Sequence, residues 1–476
     1  MGEEISAADV VPMTVALGKA SATAERIDGS KLSNAANRIP ACGDCPASAL
    51  AALVDGRRDG VRRVDVVALT DRHREHRRTS SGALYIRRHA PSGTVSCPIC
   101  TLARVLEISW PQALASWIRR HEIDPSGHLP VDGVVRRLAG VQAQVASSAE
   151  LAIRVRSDAV PAGGVAGALG RGDLIKTWAM RGTLHLLTPE VAGPTLSLLA
   201  SGRPWERPSW QRYFGMDPAT MERFRDVVIE ALDGRTLTRE QLIEVVVTKP
   251  GMEHLDERLR SGWGTLFKPV AWQGGLCFGP QAGNRVTFQR PDQASQRWKG
   301  IPDPEVAGPR ALIAYLDAYG PSTPNGFRNW LSRGVIPAKR VKGWIDELGD
   351  RLTAVDLEGE TAWVPTEHAD DLARSKPSNA VRLLGGFDQW VLGPGTDDGH
   401  VTPAGRRTAV SRTAGWIVPV AVVGGVVNGT WEQDGRSVRI AWFREAGAAP
   451  RRELKAEVER LSRIAGRDLS LEISRS

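Results

Sequence analysis

Two glutamines, Gln142 and Gln144, stand two residues apart in the run Val141-Gln142-Ala143-Gln144-Val145. A carboxamide does not ionise in the working range of water, so neither side chain serves as a general acid or base at neutral pH. What a pair of amides offers is oriented dipoles. Their carbonyl oxygens hold a water molecule and turn partial negative charge toward a developing cation, an effect worth a few kcal/mol in a dry site. Such a pair suits a reaction whose leaving group needs no protonation. Its bland counterpart is two solvated polar residues in a short link between helices.

The flanking residues place this pair on a connector. Val131 to Ala139 carries apolar residues at helical spacing, and Gly140 stands where a C-terminal cap belongs. Ser147-Ser148-Ala149-Glu150 has the Ser-x-x-Glu pattern of a capping box, followed by the amphipathic run Leu151 to Val155. In extended chain, residues two apart share one side, so both amides are expected to face one cleft. Lys176 to Met180 and Thr183 to Leu187 then alternate as the strands of a hairpin, with Arg181-Gly182 at its turn.

The segment LAGVQAQVASSAELAIRVR, together with Ile175 to Leu187, resembles the AlkZ and YcaQ family of DNA glycosylases in the branch with a Gln-apolar-Gln signature. The likeness runs from about Leu106 to the C-terminus. Phe387-Asp388-Gln389-Trp390-Val391-Leu392-Gly393 resembles the family's Phe-Asp-Pro-Tyr-Val-Leu-Gly, with Gln389 and Trp390 in place of the commoner residues. The resemblance implies that Gln142 and Gln144 are catalytic and that the hairpin, with Trp178, Arg181, Thr183 and His185, lies beside the active site against DNA. It further implies hydrolysis of the N-glycosidic bond of a cationic N7-alkylated guanine, including bulky adducts or interstrand crosslinks, leaving an abasic site.

The chemistry of the pair agrees with that substrate. Guanine alkylated at N7, a major-groove atom, carries a positive charge and departs as a neutral base, so no acid is required. No covalent nucleophile stands out beside the motif, which favours a water-dependent, monofunctional enzyme with neither metal nor cofactor. A non-catalytic winged-helix transcriptional regulator is the alternative from another class. Other hydrolases lack support, since the chain has no G-x-S-x-G elbow, phosphate loop or H-E-x-x-H motif.

A chain of 476 residues is too long for one core. The pattern predicts an α+β protein of three tandem winged-helix units followed by a small antiparallel β-barrel. The first, residues 105–202, has helices over Pro111 to His121 and Val131 to Ala139, the glutamine connector, a helix from Ser148 and the hairpin. The second, 203–305, has helices over Met221 to Leu232, Thr238 to Val246 and Asp256 to Trp272, then a wing from Gly274 to Arg290. Lys268 on the third helix and Arg285 and Arg290 on the wing are expected to meet DNA phosphates. The third, 306–375, has helices over Arg310 to Tyr319, from Pro321-Ser322-Thr323-Pro324, and over Ala338 to Leu348, with a wing from Leu352 to Val364. Residues 376–476 read as strands at Val381 to Leu384, Trp390 to Leu392, Trp416 to Val423, Val426 to Trp431, Val438 to Phe443 and Leu469 to Ile473, with a helix from Arg451 to Ile464.

With 62 Lys and Arg against 54 Asp and Glu, the charge balance allows a polyanionic partner without demanding one. No apolar run is long enough for a membrane span and no leader pattern opens the chain. The expected setting is therefore a cytoplasmic, nucleoid-associated monomer acting on double-stranded DNA.

Residues 1–104 contain none of the chain's 15 Trp and 8 Phe, so little there builds a core and the segment is expected to be largely disordered. Cys42, Cys45, Cys97 and Cys100 pair as a four-thiolate zinc site would, but the loop between the pairs is far longer than the roughly 15–20 residues of a compact ribbon. Free thiols are the expectation. A start codon placed too far upstream also fits a resemblance that begins near Leu106. Deleting residues 1–104 should leave folding and DNA binding intact, which circular dichroism and a gel-shift titration of the truncated protein would test.

Overall fold

The computed structural model describes residues 51–58, 61–68 and 105–476, apart from 261–263 and 333–335. The chain divides into two units after Cys100. In the first, β1 (Ala51–Arg58) and β2 (Val61–Ala68) pair antiparallel, a hairpin within the segment read as disordered. The four cysteines of the possible zinc site lie outside the described residues.

In the second unit, β3 (Leu106–Ile108) leads into α1 (Trp110–Arg120), and the Ser109 N–H donates to Gln112 Oε1 at 3.0 Å at its start. The next helix, α2 (Val131–Arg137), ends in a Schellman turn: Ala139 donates to Arg136 O at 3.0 Å and Gly140 to Val135 O at 2.9 Å. Ala139 takes the left-handed position with φ 52°, one residue before the expected glycine. After β4 (Val141–Gln142), α3 (Ala146–Arg154) begins two residues ahead of Ser148. The expected capping box does not form. Glu150 instead accepts from the N–H groups of Gly164 and Val165, both at 3.2 Å, and so caps α4 (Gly164–Gly170). A carboxylate gains more from the two unpaired donors and the positive end of a neighbouring helix than from its own first turn. Then come β5 (Ile175–Trp178), β6 (Leu184–Leu187) and α5 (Pro189–Ser201).

The following stretch holds α6 (Pro208–Phe214), α7 (Pro218–Ala231), β7 (Leu237–Thr238) and α8 (Arg239–Val247). Thr238 caps α8 as expected, in a reciprocal box with Gln241. The single helix expected over Asp256 to Trp272 is two, α9 (Asp256–Arg260) and α10 (Phe267–Trp272). Gly264 lies between them at φ +58°, against the Trp178 ring where a Cβ would not fit. The wing is β8 (Cys277–Phe278) and β9 (Thr287–Gln289), closed by α11 (Pro291–Ala294). It does not stand apart from the first hairpin. Lys176 of β5 pairs with Phe278 of β8, joining six strands in the order β4-β6-β5-β8-β9-β7, so one sheet crosses the boundary drawn near residue 202.

The next helices are α12 (Pro304–Tyr319), α13 (Pro324–Ser332) and α14 (Ala338–Leu348), followed by β10 (Leu352–Leu357), β11 (Glu360–Pro365) and α15 (Thr366–Arg374). β3 pairs parallel with β10, so the start of this unit shares a sheet with the β10–β11 hairpin. The remainder is β12 (Val381–Leu384), α16 (Gln389–Leu392), α17 (Arg407–Val410), β13 (Val420–Val423), β14 (Val426–Asp434), β15 (Ser437–Trp442), α18 (Arg451–Ala465) and β16 (Ser470–Arg475). The expected barrel is an open five-stranded sheet, with β12 and β16 at its edges. β16 runs parallel to β15, and α18 supplies the crossover that a parallel pair needs.

Trp390 to Leu392 was expected as strand and is helical, because Asp388 accepts from the Trp390 N–H at 2.8 Å and starts a turn. Asp388 is itself held by Arg156 just beyond α3, through two hydrogen bonds of 2.8 and 2.6 Å, with both side chains fully buried. Removing one partner of such a pair leaves a buried charge unmatched and typically costs about 3–5 kcal/mol, more than replacing both with apolar residues. Asp388→Ala should therefore lower stability by about that amount in urea unfolding, and Arg156→Met combined with Asp388→Ala by less.

Candidate functional site

The glutamine connector enters the six-stranded sheet as its edge strand. Val141 lies opposite Leu186 and Gln142 opposite His185. Gly140 makes the approach possible: it sits at φ +116°, and a Cβ there would fall 2.6 Å from Leu187 Cδ2. Val141 and Leu186 enter the core formed with α2 and α3. By strand alternation Gln142 and His185 share the other side. Ala143 donates to Leu184 O at 2.8 Å, so the Gln142–His185 pair next to it is the non-hydrogen-bonded kind, in which side chains come closest. Gln142 is only 6% exposed, whereas Gln144, at the bend beyond, is exposed. The two amides thus occupy different depths.

His185 is fully buried, and its Nδ1 lies 2.9 Å from Thr183 O. A carbonyl accepts only, so Nδ1 carries the proton and Nε2 is a bare acceptor. Burial, and then the nearby Arg181 cation, push the His185 pKa down to about 3. Thr177 lies opposite His185 on the other flank, on β5. Gln142 Oε1, His185 Nε2 and Thr177 Oγ1 are all buried without a hydrogen-bond partner, in a row across three strands. This row is uncharged at neutral pH and has no group that titrates there. Its chemistry is that of fixed dipoles.

The residues expected at DNA separate into distinct places. Trp178 is 4% exposed and packs edge-on to Phe278 at 4.7 Å between centroids, beneath the surface. Arg181 and Gly182 take positive φ at the hairpin turn, and Arg181 Nη1 donates to Trp330 O at 2.7 Å, tying the turn to α13. Thr183 is half-buried and donates to Met180 O at 3.2 Å. Lys268 Nζ lies 3.8 Å from where a Cβ on Gly182 would stand, so its ammonium faces the same turn, with its pKa lowered by burial. Arg285 is exposed on the loop between β8 and β9. Arg290 is engaged by Asp233 at 2.7 Å and Asp292 at 2.6 Å, so a phosphate would compete with two carboxylates for it. The structure brings Gln142, Thr183, His185, Arg181 and Lys268 to one hairpin, and leaves Arg285 and Arg290 on the second wing. Thr177 escaped notice in the sequence because a threonine inside a strand is an ordinary β-former.

The site thus combines a mixed α and β fold with two neighbouring glutamines, one on an edge strand and one at the bend beyond it, beside a hairpin whose histidine is buried and neutral. The sequence profile of the AlkZ-like DNA glycosylases matches residues 135–464, and the chain belongs to that family. It is 43% identical over 362 residues to an interstrand DNA cross-link repair glycosylase of Streptomyces sahachiroi, a match spanning 76% of this chain and 98% of that protein. The solved structure of the Streptomyces sahachiroi DNA glycosylase AlkZ superposes with a TM-score of 0.75 at 42% identity, over 77% of this chain and 100% of that one. Of the two classes the sequence left open, the enzyme holds. No helix among the described residues is long and apolar enough to cross a membrane.

The depressed His185 pKa carries a stability consequence. The unfolded chain binds a proton at this residue below about pH 6.5, whereas the folded chain resists it down to about 3. The stabilisation is complete above the unfolded value and is lost as pH falls through that window. His121, lowered by burial and by Arg156 and Arg120, acts in the same direction. His185→Gln should therefore lose stability less steeply than the unaltered protein between about pH 6.5 and 4, read as urea midpoints across that range.

Proposed function

We propose that the protein hydrolyses the N-glycosidic bond of cationic N7-alkylated guanine in duplex DNA, acting as a monofunctional glycosylase that leaves an abasic site. The observation that carries this reading is the Gln142–Gln144 connector at the sheet edge, with one buried carbonyl and no group that titrates near neutral pH in the row behind it. Neutral dipoles suffice only if the substrate supplies its own activation, and a positively charged purine does so. The bond between C1′ and the base nitrogen breaks, its electron pair leaves with the now neutral base, and water adds to the oxocarbenium carbon. The proton that water loses goes to solvent. Gln142 and Gln144 hold that water and face the developing cation with their carbonyl oxygens.

The name of the Streptomyces sahachiroi relative supports extending the substrate to interstrand crosslinks. The same proposal takes the chain as three winged-helix units, acting as a monomer in the cytoplasm. Phosphate contacts from Arg285 and Lys268 would give weak, salt-sensitive binding with little sequence preference.

The test is release of free base from duplex carrying 7-methylguanine. Gln142→Ala and Gln144→Ala should each slow the chemical step by on the order of a hundredfold to a thousandfold with DNA affinity nearly unaltered. The pair should be less than additive because it holds one water. Gln144→Asp should keep part of the rate, since an ionised carboxylate still orients water and favours the cation. The strand should remain intact until alkali treatment. Wild-type release by the double alanine variant would sink this reading.

A further inference from the structure

We propose that His185 is a positioning residue which fixes the direction of the Gln142 carboxamide, so that its carbonyl faces the reacting sugar. This inference rests on the reaction proposed above and adds a residue to it. Gln142 and His185 are directly opposed, non-hydrogen-bonded neighbours on β4 and β6, and side chains so placed have Cβ atoms about 4.5–5.5 Å apart. Each presents a buried acceptor with no donor, Oε1 on the first and Nε2 on the second. Buried polar atoms without partners are rare, and two facing acceptors left unmatched are rarer.

A half-turn of the amide about its terminal bond removes the conflict. The Gln142 N–H then donates to His185 Nε2, and the carbonyl oxygen is released toward the connector side, where Gln144 is exposed. The imidazole is suited to this because its other nitrogen is committed. Nδ1–H is held by Thr183 O at 2.9 Å, which fixes both the tautomer and the ring plane. The relay therefore runs from the Thr183 carbonyl through a neutral imidazole to the amide. Without it, an amide flips between two orientations, and half of its states would point N–H groups, with partial positive charge, at a developing cation.

Thr177 is the competing donor, because its hydroxyl lies across from His185 on β5, is fully buried and is likewise unpartnered. A Thr177–His185 bond would occupy Nε2 and leave Gln142 unguided. The two arrangements make opposite predictions.

The experiment measures single-turnover release of 7-methylguanine, together with affinity for the same duplex, in six variants. His185→Asn keeps a donor for Thr183 O but lacks an acceptor at the Nε2 position, and His185→Leu fills similar volume with no polar atom. Each should slow release by roughly tenfold or more with affinity within about twofold. His185→Gln, whose carbonyl reaches the Nε2 position, should stay within a few-fold of the unaltered rate. Adding His185→Asn to Gln142→Ala should cause no further loss, since the histidine acts only through the amide. Thr177→Val, which removes the competing donor, should lose far less rate than His185→Asn. The proposal is overturned if both His185→Asn and His185→Leu release base normally while Gln142→Ala is slow. It is also overturned if His185→Asn slows the Gln142→Ala background by the same factor as the unaltered one, or if Thr177→Val loses as much as His185→Asn. A normal rate in Gln142→Ala would instead remove the underlying reaction.

Discussion

Arg156 and Asp388 form a fully buried ion pair that fixes the helix following the glutamine connector. Taking two charges out of water costs several kcal/mol each, and the geometry must return it. Here it does so with a bidentate fork, a further bond from Arg156 Nη1 to Ala152 O at 2.6 Å, and the Asp388 cap on α16. These contacts hold the C-terminal end of α3 against the segment that precedes α16. The same helix begins at Ala146, two residues after Gln144, so the ion pair holds the connector from the far end of α3. The Schellman turn at Ala139 and Gly140 anchors the connector's other end. Between these two fixed ends only a short extended stretch remains, and its freedom to reorient is small.

Dipole catalysis depends on such fixity, because a dipole that must rotate toward the transition state gives back most of what it contributes. The row Gln142, His185 and Thr177 shows what the fold tolerates beside the connector. Three buried polar atoms lack partners in a region where burial otherwise extends to Val141, Leu186 and Leu187 at 1% exposure or less. Unsatisfied groups of this kind cost roughly 1–3 kcal/mol each. A sheet built for stability alone would carry valines there. A row that is polar but uncharged accords with the proposed substrate, whose activation leaves no need for a strong general base.

The parts of the molecule legible in the sequence are those decided within a few residues. Ala338–Leu348 has the bounds its periodicity predicts, Thr238 caps α8 through Gln241, and the Arg181-Gly182 turn joins two strands. What sequence could not supply is decided by groups far along the chain. Glu150 abandons the local box for the end of α4, Gly264 breaks a helix because the Trp178 ring lies against it, and Asp388 turns a strand-like segment helical while paired to Arg156. The open C-terminal sheet belongs to the same class. Alternating strands look alike whether a sheet closes or not, and α18 carries the chain across to a parallel edge instead of closing the ring. At the candidate site, the motif singles out both glutamines as candidates, while the unequal depth of Gln142 and Gln144 and the presence of Thr177 depend on strand register. A slip of one residue would have turned each of them to the other side.

The joining of two hairpins, β5–β6 and β8–β9, into one sheet completes the constraint on the first. β6 has β4 on one flank and β5 on the other, and β5 passes the restraint to β8 through the Lys176–Phe278 pair. Trp178, wedged between Phe278, Phe288 and the bare backbone of Gly264, locks that junction. The turn itself is held by the Arg181 bond to Trp330 O on α13, with the Lys268 ammonium of α10 lying near Gly182. His185 thus sits on a strand whose neighbours and turn are all held, and its imidazole takes its direction from Thr183 in that same strand. Residues whose letters suggest contact with DNA, Trp178 and Arg181 among them, are spent largely on holding this hairpin still. For the proposed reaction, the rigidity that a pair of neutral amides needs is supplied by side chains of the surrounding sheet and helices.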